Sequence, residues 1–376
     1  MNVYCQSLHC LLLASLVLLT TALTPARAGE IILRLSDPPE RGNVIALVFR
    51  DGDSFGSFRD AWRREVFSVD ETEPPYRIQD LPEGDYAVLL FRDENNNGRL
   101  DRNFIGIPSE PFALSNDYQP SGPPSFQRAR VRVTPGEPVE QSLSLYRPLG
   151  GFGQVGVGPG VIGQTSPYRD SSDSPLQLIP AITYLGERLQ WTGPQLRYLL
   201  ATGDNWRLAA QADLRLGAYE ESDSPWLEGL GDRKTSVMGG LALTYELPAG
   251  LSLSGSAQTD LLGLSKGSTA RLQLSRGFQL GLLRVSPSLG LNWLDGSLAD
   301  YEFGVDQAHA RADRPGYSLS SALNWEAGFS VFYELSSNWQ LVGNFGIETL
   351  DSAIVDSPIV DRQRLGRGFL TLSYIF

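Results

Sequence analysis

Long stretches in the second half of the chain alternate between apolar and polar side chains with a period of two, a pattern that predicts β-strands. The clearest runs begin at Trp206, Leu283 and Trp339. Each run has one apolar face, and the other face carries charged or amide side chains such as Arg207 and Glu348. Strands of about ten residues or more with this pattern can cross a bilayer at a tilt, with the apolar face toward lipid.

The last ten residues continue this alternation to the end of the chain. Leu370, Leu372, Tyr374 and Phe376 share one face, and a strand with such a face and free edges would aggregate in water. A terminal Phe preceded by apolar residues at every second position resembles the assembly signal of bacterial outer-membrane proteins. We therefore expect barrel-assembly machinery and outer-membrane lipid as partners. The alternative is a soluble β-sandwich whose polar faces meet water.

The spacing of the runs predicts a strand number. Long gaps at 219–234, 295–316 and 351–364 alternate with short ones, as external loops and periplasmic turns do in outer-membrane barrels. Counting back from Phe376 gives about ten strands, with the barrel occupying 176–376. Residues 152–163 are then left as a plug, a periplasmic stretch or a further strand of a barrel with about twelve strands.

Residues 29–147 contain shorter alternating runs separated by turn residues. The strand candidates are 31–35, 44–49, 86–91, 131–133 and 142–146. Only 59–67 suggests helical periodicity. This spacing predicts a small β-sandwich that is large enough to bury its own core.

A Gly- and Pro-rich hinge is expected at 148–175. Gly151 to Gly156 fits the pattern G-x-G-x-x-G, but further Gly and Pro follow instead of a helix. We therefore expect no dinucleotide site there.

One segment of the N-terminal part has the oxygen-rich spacing of a calcium loop. Asp93, Asn95, Asn97, the Arg99 carbonyl and Asp101 could supply five oxygens around a tight turn. The match then fails, because the position of the bidentate Glu is occupied by Phe104. Two interpretations stay open, namely a calcium site and a plain Asx-rich hairpin. No other cofactor is expected.

The first 28 residues are predicted to be a signal peptide. An apolar segment at 11–23 precedes Ala26-Arg27-Ala28, although the start of the chain has no basic residue. Both cysteines, Cys5 and Cys10, lie in this segment, so the mature chain would have no disulfide. Cys10 precedes the apolar run, so we do not expect a lipid anchor.

Composition narrows the function further. The net charge is -12 and there are only two lysines, Lys234 and Lys266, which argues against binding to nucleic acid. No apolar run after the first 25 residues is long enough for a transmembrane helix. His309 is the one histidine of the expected mature chain, and no G-x-S-x-G motif occurs. We expect no enzyme activity, with a barrel enzyme using His309 as an alternative.

The N-terminal part resembles a family of uncharacterised secreted bacterial domains. The resemblance is carried by Leu81–Ala87, Asp93–Asp101, Gly106–Glu110, and Phe112 with Ser115-Asn116. It implies a β-sandwich in the periplasm and no particular reaction.

The second half is similar to the MltA-interacting protein (MipA/OmpV) family. The resemblance is carried by Leu230–Lys234, Tyr301-Glu302-Phe303-Gly304-Val305, Leu350-Asp351-Ser352, Asp356-Ser357-Pro358-Ile359-Val360 and the ending Ser373–Phe376. The chain departs from the family pattern around 307–315.

This resemblance implies an outer-membrane scaffold that links a lytic transglycosylase to a murein synthase. Some family members are described as channels or adhesins. We therefore expect a non-enzymatic scaffold in the outer membrane with its N-terminal domain in the periplasm, and a narrow channel is the alternative. The motif residues Tyr301, Phe303, Gly304, Val305, Asp356, Ser357 and Pro358 are expected to order loops and close the barrel, or to contact a partner.

Overall fold

Two β-structured parts follow each other along the chain in the computed structural model, which describes residues 28–120, 124–150, 153–171, 176–336 and 338–376. Apart from Ala28, the predicted signal peptide lies outside the described residues. In the described ranges, no helix is both long enough and apolar enough to span a membrane.

The N-terminal part is a β-sandwich, as the turn spacing predicted. Its strands are β1 (Gly29–Leu35), β2 (Asn43–Phe49), β3 (Arg63–Ser68), β4 (Tyr76–Leu81), β5 (Gly84–Asp93), β6 (Phe112–Leu114), β7 (Val131–Val133) and β8 (Val139–Leu143). One sheet has the order β4-β1-β8, and the other has the order β3-β2-β5-β6 with β7 also paired to β5. Buried side chains of both sheets, including Leu33, Val88 and Leu90, form the core between them.

Two predicted elements of this domain were wrong. The segment around 59–67 forms the edge strand β3, whose exposed Arg64 and Val66 alternate with less exposed neighbours. The helix lies earlier, as the single turn α1 (Gly52–Ser57), because the Asp51 carboxylate accepts a hydrogen bond from the Ser54 N–H at 2.9 Å. The last predicted strand, 142–146, is shifted by three residues and is β8, at Val139–Leu143. Short helical turns also occur at α2 (Phe126–Ala129) and Ser115–Asp117.

The C-terminal part is a closed antiparallel barrel. Its strands are β9 (Gln154–Gln164), β10 (Gln177–Leu185), β11 (Leu189–Thr192), β12 (Gln195–Thr202), β13 (Trp206–Arg215), β14 (Ser236–Glu246), β15 (Leu251–Asp260), β16 (Ser268–Arg276), β17 (Phe278–Leu280), β18 (Leu283–Asp295), β19 (Ser321–Glu334), β20 (Trp339–Thr349) and β21 (Arg364–Ile375). The sheet closes because β9 pairs with β21 and β16 pairs with β18. The short β17 continues the line of β16 alongside β18, so twelve strands surround the lumen. This is the upper end of the predicted range.

The first barrel strand, β9, lies within the stretch that the sequence assigned to the hinge at 148–175, so the barrel begins well before residue 176. Val155 and Val157 are exposed on its outer face. The inner face in the middle of β9 consists of glycines, at 156, 158 and 160. A Cβ on Gly158 would lie 1.8 Å from the Leu372 carbonyl oxygen, so a larger residue does not fit there. Because glycine replaces the polar residues of the inner face, the usual alternation is absent from this strand.

Exposure confirms the predicted inside and outside faces of the barrel. Leu289 is 67% exposed and Ile347 is 54% exposed on the outer face, whereas Asn292 and Glu348 are buried on the inner face. We call the end where β9 begins and β21 ends the domain end, because the β-sandwich lies there. The opposite end, the loop end, carries the long loops with α3 (Gly296–Phe303), α4 (Ser352–Val355) and the 3-10 turns Glu221–Asp223 and Gln307–His309. A further 3-10 turn, Pro248–Gly250, lies at the domain end.

Candidate functional site: the two sealed ends of the barrel

Polar contacts join the β-sandwich to successive turns and strand ends of the barrel rim. The contacts are Arg147 with Glu187 (3.8 Å), Arg99 with Asp204, Asp53 with Arg276 (3.5 Å), the Gly56 carbonyl with Arg284 (3.3 Å) and Arg128 with Glu334 (3.4 Å). These partners range from the β10–β11 turn to the end of β19. The domain therefore covers most of the domain end.

Phe104 is the side chain of the domain that enters the barrel. It packs in a buried cluster with inward-facing residues of β12, β13 and β14, namely Leu199, Ala209 and Ala242. The Arg197 guanidinium lies 4.9 Å from the centre of the Phe104 ring, as in a cation–π contact. Arg207 donates a hydrogen bond from Nε to the Phe104 carbonyl oxygen at 2.8 Å. The backbone and the ring of Phe104 are therefore both held by the barrel wall.

Beside Phe104, one carboxylate of the barrel forms ion pairs with two arginines. Glu246 at the end of β14 pairs with Arg207 of β13 and with Arg59 of the β-sandwich, the latter at 3.4 Å. Ser252 donates to the same carboxylate at 2.5 Å. Burial lowers the pKa of Arg59, and the Glu246 charge opposes that change. The three charged groups are largely removed from water, so the Arg59–Glu246 pair is the most buried of the interdomain ion pairs named here.

The segment that carries Phe104 is itself fixed by hydrogen bonds. Asn103 is fully buried and donates from Nδ2 to the Gly186 carbonyl oxygen at 3.2 Å. Arg102 donates to the carbonyl oxygens of Ser57 and Phe58 at 2.7 and 2.6 Å. Burial lowers the pKa of Arg102 to about 9, with further lowering by the charges of Arg59 and Arg207.

The loop end is closed by a different kind of structure. Buried apolar side chains from several loops and from the strand ends pack together above the lumen; they include Tyr168, Tyr219, Leu227, Leu298, Phe303, Leu319, Leu350, Ile354 and Ile359. Tyr168 is buried, and its hydroxyl donates to the Glu302 carbonyl oxygen at 3.2 Å. Burial raises the pKa of Tyr168 well above its usual value and raises the pKa of Tyr219 to about 12. We call this set of residues the loop-end cluster.

The residues of the family motifs meet in the loop-end cluster. Phe303 and Val305 are buried in it, and Ser357 donates from Oγ to the Phe303 carbonyl oxygen at 2.6 Å. The Arg233 guanidinium lies 4.8 Å from the centre of the Tyr301 ring. A Cβ on Gly304 would lie 2.5 Å from the Asp300 carbonyl oxygen, so the turn after α3 has no room for a larger residue.

The second motif forms the turn that follows α4. Asp356 donates from its backbone N–H to the Ser352 carbonyl oxygen at 2.9 Å. Pro358 lies between Ser357 and Ile359, which are both buried.

The sequence indicated Glu302 only as part of a family motif, without a role of its own, and the side chain extends from α3 to the barrel wall. Its carboxylate pairs with Arg215 of β13, with Nη2 and Oε2 2.7 Å apart. This contact joins the loop-end cluster to the barrel wall. A charged residue in the middle of an apolar motif was the available signal.

Polar side chains fill much of the lumen between the two ends. Arg271 pairs with Glu326 at 3.0 Å, and Arg367 pairs with Glu348 at 3.2 Å. Asn292 and Asn324 donate to Glu348 Oε1 at 3.1 and 2.7 Å. These inward-facing groups are therefore engaged with one another across adjacent strands or across one intervening strand.

The predicted calcium loop is satisfied by its own hydrogen bonds. The Asp93 carboxylate accepts from the N–H groups of Asn97 and Gly98 at 3.1 and 2.7 Å, and Asn95 donates to Asp101 at 2.6 Å. Arg99 lies beside Asp101 and extends to Asp204. In the described part of the chain, no group of three or more His, Cys, Asp or Glu side chains is placed to hold a metal ion.

Sequence reasoning also missed Glu110, which braces this loop. Glu110 is buried, and its two oxygens accept from the N–H groups of Glu94 and Asp101 at 2.9 and 3.0 Å. Burial raises the pKa of Glu110 to about 7, with a smaller contribution from the Asp101 and Asp93 carboxylates.

His309 lies on the surface of the loop end, in the turn Gln307–His309. Its backbone oxygen accepts a hydrogen bond from Arg314 at 2.8 Å, and its side chain is exposed. The nearby Asp306 carboxylate instead accepts from the Ala308 N–H at 2.9 Å.

At the domain end, the final strand presents the predicted signal residues outward. The Tyr374 ring packs edge-on against Trp339 and Phe376, with centroids 5.3 and 5.1 Å apart. Leu370 and Phe376 are exposed, and Leu372 is partly exposed on the same face.

Comparisons with known proteins agree with this architecture. Residues 157–376 match the family described as MltA-interacting protein MipA, and residues 38–141 match the family described as uncharacterized protein conserved in bacteria (DUF2141).

Three relatives match the barrel half. The MltA-interacting protein of Escherichia coli K12 is 26% identical over 226 residues, covering 59% of this chain and 89% of the relative. The outer membrane protein OmpV of Vibrio cholerae is 26% identical over 226 residues, covering 60% and 87%. The putative outer membrane protein YiaT of Escherichia coli K12 is 25% identical over 212 residues, covering 56% and 85%.

Proposed function

Because the chain belongs to the MltA-interacting protein MipA family and is an outer-membrane β-barrel protein, we propose that it is a non-enzymatic scaffold for peptidoglycan-processing proteins. The barrel anchors the chain in the membrane, and the docked β-sandwich is the part that partners reach. On the sequence alone, we further propose that residues 1–28 direct export and that Leu370, Leu372, Tyr374 and Phe376 are recognised by the barrel-assembly machinery.

The orientation follows from the lengths of the connections. At the domain end the strands are joined by short turns, and at the loop end by loops as long as 216–235 and 296–320. Outer-membrane barrels have their short turns in the periplasm and their long loops outside. The β-sandwich then lies in the periplasm, directly beneath the barrel.

The observation that carries the proposal is that both ends of the barrel are closed. The docked β-sandwich covers the domain end, with Phe104 and the Glu246 ion pairs as its buried contacts, and the loop-end cluster covers the other end. The lumen between them is crossed by paired charges. A barrel with this structure suits a fixed platform better than an open conduit.

The relative from Escherichia coli K12 named MltA-interacting protein indicates the class of partner. We propose that this chain likewise binds a lytic transglycosylase and, through it, a murein synthase. The edge of the β-sandwich offers a contact surface, because β3 pairs on one side only among the described residues. Val66 of β3 is 53% exposed, and Trp62, just before β3, is 42% exposed. The Arg50 guanidinium lies 3.9 Å from the centre of the Trp62 ring and orders this patch.

In vivo crosslinking tests the proposal. A photoreactive amino acid in place of Trp62 should capture a murein-processing protein that mass spectrometry identifies. The same probe in place of the exposed Glu137 serves as the matched control on another face of the domain. Capture of no cell-wall protein from either position would contradict the scaffold function.

A narrow channel is the second candidate, favoured by the polar lining of the lumen. It would require both closed ends to open, whereas the scaffold requires neither. We also propose that calcium binds to Asp93, Asn95, Asn97, Arg99 and Asp101. Bound calcium would stabilise the segment that leads to Phe104, and the scaffold function does not depend on it.

A further inference from the structure

One loop at the loop end is unlike its neighbours. The loops 216–235, 296–320 and 350–363 bury apolar side chains in the loop-end cluster, but the short connection 261–267 contributes none to it. Leu261 is 60% exposed, Leu262 is 58% exposed and Leu264 is 40% exposed. Three exposed leucines in so short a connection would be costly if the loop stood in water.

This leucine loop has a fixed shape. The Asp260 carboxylate accepts hydrogen bonds from the Leu262, Ser265 and Lys266 N–H groups at 3.1, 2.6 and 3.2 Å. It also accepts from the Ser265 hydroxyl at 2.9 Å and from the Ser236 hydroxyl of the next strand. The loop is therefore held open with its leucines outward, and it is not free to fold them inward.

The leucine loop continues the lipid-facing surface of the barrel. A Cβ on Gly239 would lie 2.5 Å from Leu261 Cδ1, so Leu261 covers Gly239. Gly239 shares the outer face of β14 with the exposed Leu241 and Leu243. Leu261 thus extends the outer face of the barrel beyond the end of β15, whereas the loops 216–235, 296–320 and 350–363 cover the lumen.

Both lysines of the chain lie beside this loop. Lys266 belongs to it, and Lys234 lines the same small cavity as Ser265. Both side chains are exposed, and neither has a carboxylate within 4.0 Å among the described residues. Many arginines of the chain are paired with its own carboxylates, so these two ammonium groups are available to an external anion. A lysine is a compact point charge that suits phosphate.

We propose that this rim of the barrel binds a phosphate-bearing lipid of the outer leaflet. Leu261, Leu262 and Leu264 pack among its acyl chains, and Lys234 and Lys266 contact its phosphate groups. The occupant is a membrane lipid, because the apolar tip is continuous with the lipid-facing surface and the charges lie beside it at the level of the headgroups. The proposal rests on the orientation proposed above and not on the scaffold partners.

The depth of the leucine loop can be measured directly. Cys5 and Cys10 are the only cysteines, so a chain that starts at Gly29 has none, and Leu262→Cys gives a single labelling site. A fluorophore there should be quenched several-fold more by lipids brominated on their acyl chains than the same fluorophore at Ala310→Cys, an exposed loop position. Leu264→Cys provides a second site if the first variant assembles poorly. Equal quenching at the leucine loop and at Ala310→Cys would overturn the proposal.

The proposed role of the two lysines can be tested by identifying which lipid stays bound to the full chain. In vesicles containing a phosphorylated glycolipid or its dephosphorylated form, native mass spectrometry should show preferential retention of the phosphorylated one. Lys266→Gln or Lys234→Gln should reduce that preference by about fivefold each. Arg364→Gln, at the loop end of β21 and four to six strands away around the sheet from the strands that flank the two lysines, is the matched control and should change it little. Unchanged preference in both lysine variants would overturn the phosphate assignment.

Orientation has its own control. In intact cells, Ala310→Cys should react with a reagent that does not cross the outer membrane. If it does not react, the orientation is wrong and this proposal fails with it. If it reacts but the Trp62 crosslink captures nothing, the scaffold function fails and the lipid site stands.

Discussion

The two ends of the barrel are closed by opposite kinds of contact. At the domain end, arginines and carboxylates of two domains face each other around the rim, and one aromatic ring, Phe104, enters the barrel. At the loop end, the contacts are mostly apolar and come from loops of the barrel itself. The first closure joins two separately folded parts, whereas the second is part of the barrel fold.

This difference indicates which of the two closures can open. Apolar packing among loops that are tied to adjacent strands is lost only when those loops unfold. Ion pairs between domains weaken with salt and can be exchanged for water, as is usual at polar interdomain interfaces. The loop-end cluster is therefore the closure that is harder to open, and the β-sandwich is a docked module that partners can approach.

Breaking the loop-end cluster should have the largest effect. Ile354 in α4 is fully buried in it, so Ile354→Asp places an unpaired carboxyl among apolar side chains. We expect a loss of about 4 kcal/mol or more in the local free energy of unfolding. Rapid cleavage of the loop 350–363 by external protease would show this, while Ile354→Val should cost only about 1 kcal/mol. An uncleaved Ile354→Asp variant would contradict the importance of the cluster.

At the domain end, Glu246→Gln should be the most damaging single change. It leaves Arg207 and Arg59 without their shared carboxylate, which we expect to weaken docking by about 3 kcal/mol. Cleavage of the junction between the two domains, at 148–153, by a protease of broad specificity should become faster, because the undocked domain leaves that segment more accessible. Asp204→Asn removes the exposed partner of Arg99 and should cost less than about 1 kcal/mol. Equal effects of the two changes would mean that Glu246 has no special role.

Phe104→Ala should weaken the domain end by a smaller amount. The change removes the ring that packs on Ala209 and Ala242 and the cation–π contact with Arg197, and we expect docking to weaken by about 2 kcal/mol, as for an interface anchor. Hydrogen exchange of the segment 102–108 in the full chain should rise. Ile105 is exposed beside it, so Ile105→Ala is the control and should leave exchange unchanged. If both variants behave alike, Phe104 is not the anchoring residue.

The smallest predicted effect is a pH dependence of the β-sandwich. The pKa of Glu110 is raised to about 7 from 4.5 by burial, so between these values the folded domain binds more protons than the unfolded chain. Stability should therefore fall as the pH rises, by about 1 kcal/mol between pH 6 and 7. Thermal unfolding of the full chain, followed by a label on the domain, measures this. A domain whose stability does not change over that interval would show that Glu110 is already charged at pH 6.

The sequence predicted the barrel walls better than their ends. Alternation at Trp206, Leu283 and Trp339 reports which face each side chain takes, because lipid and lumen impose opposite polarity on successive residues. The same signal fails for β9, where the inner face is glycine to admit the neighbouring strand. It also fails for β11, which is too short to show a period.

The closures themselves could not be predicted, because they depend on contacts between residues far apart in the chain. In the sequence, Phe104 stands out only because it occupies the position where a calcium loop needs a bidentate Glu. The residues around it do not indicate that it contacts Ala209 of the other domain. Glu302 likewise finds Arg215 only after α3 is placed above the lumen. The motif residues Phe303 and Ser357 were identified from the family resemblance, but their contact with each other was not.

The most direct test of the closed barrel is the conductance of the intact chain in planar bilayers, with insertion verified by protease access to the loops. We expect inserted wild-type chains to show no steady conductance, because Phe104 and the loop-end cluster both block the lumen. Stable single-channel currents from the intact chain would contradict the closed scaffold and establish a pore.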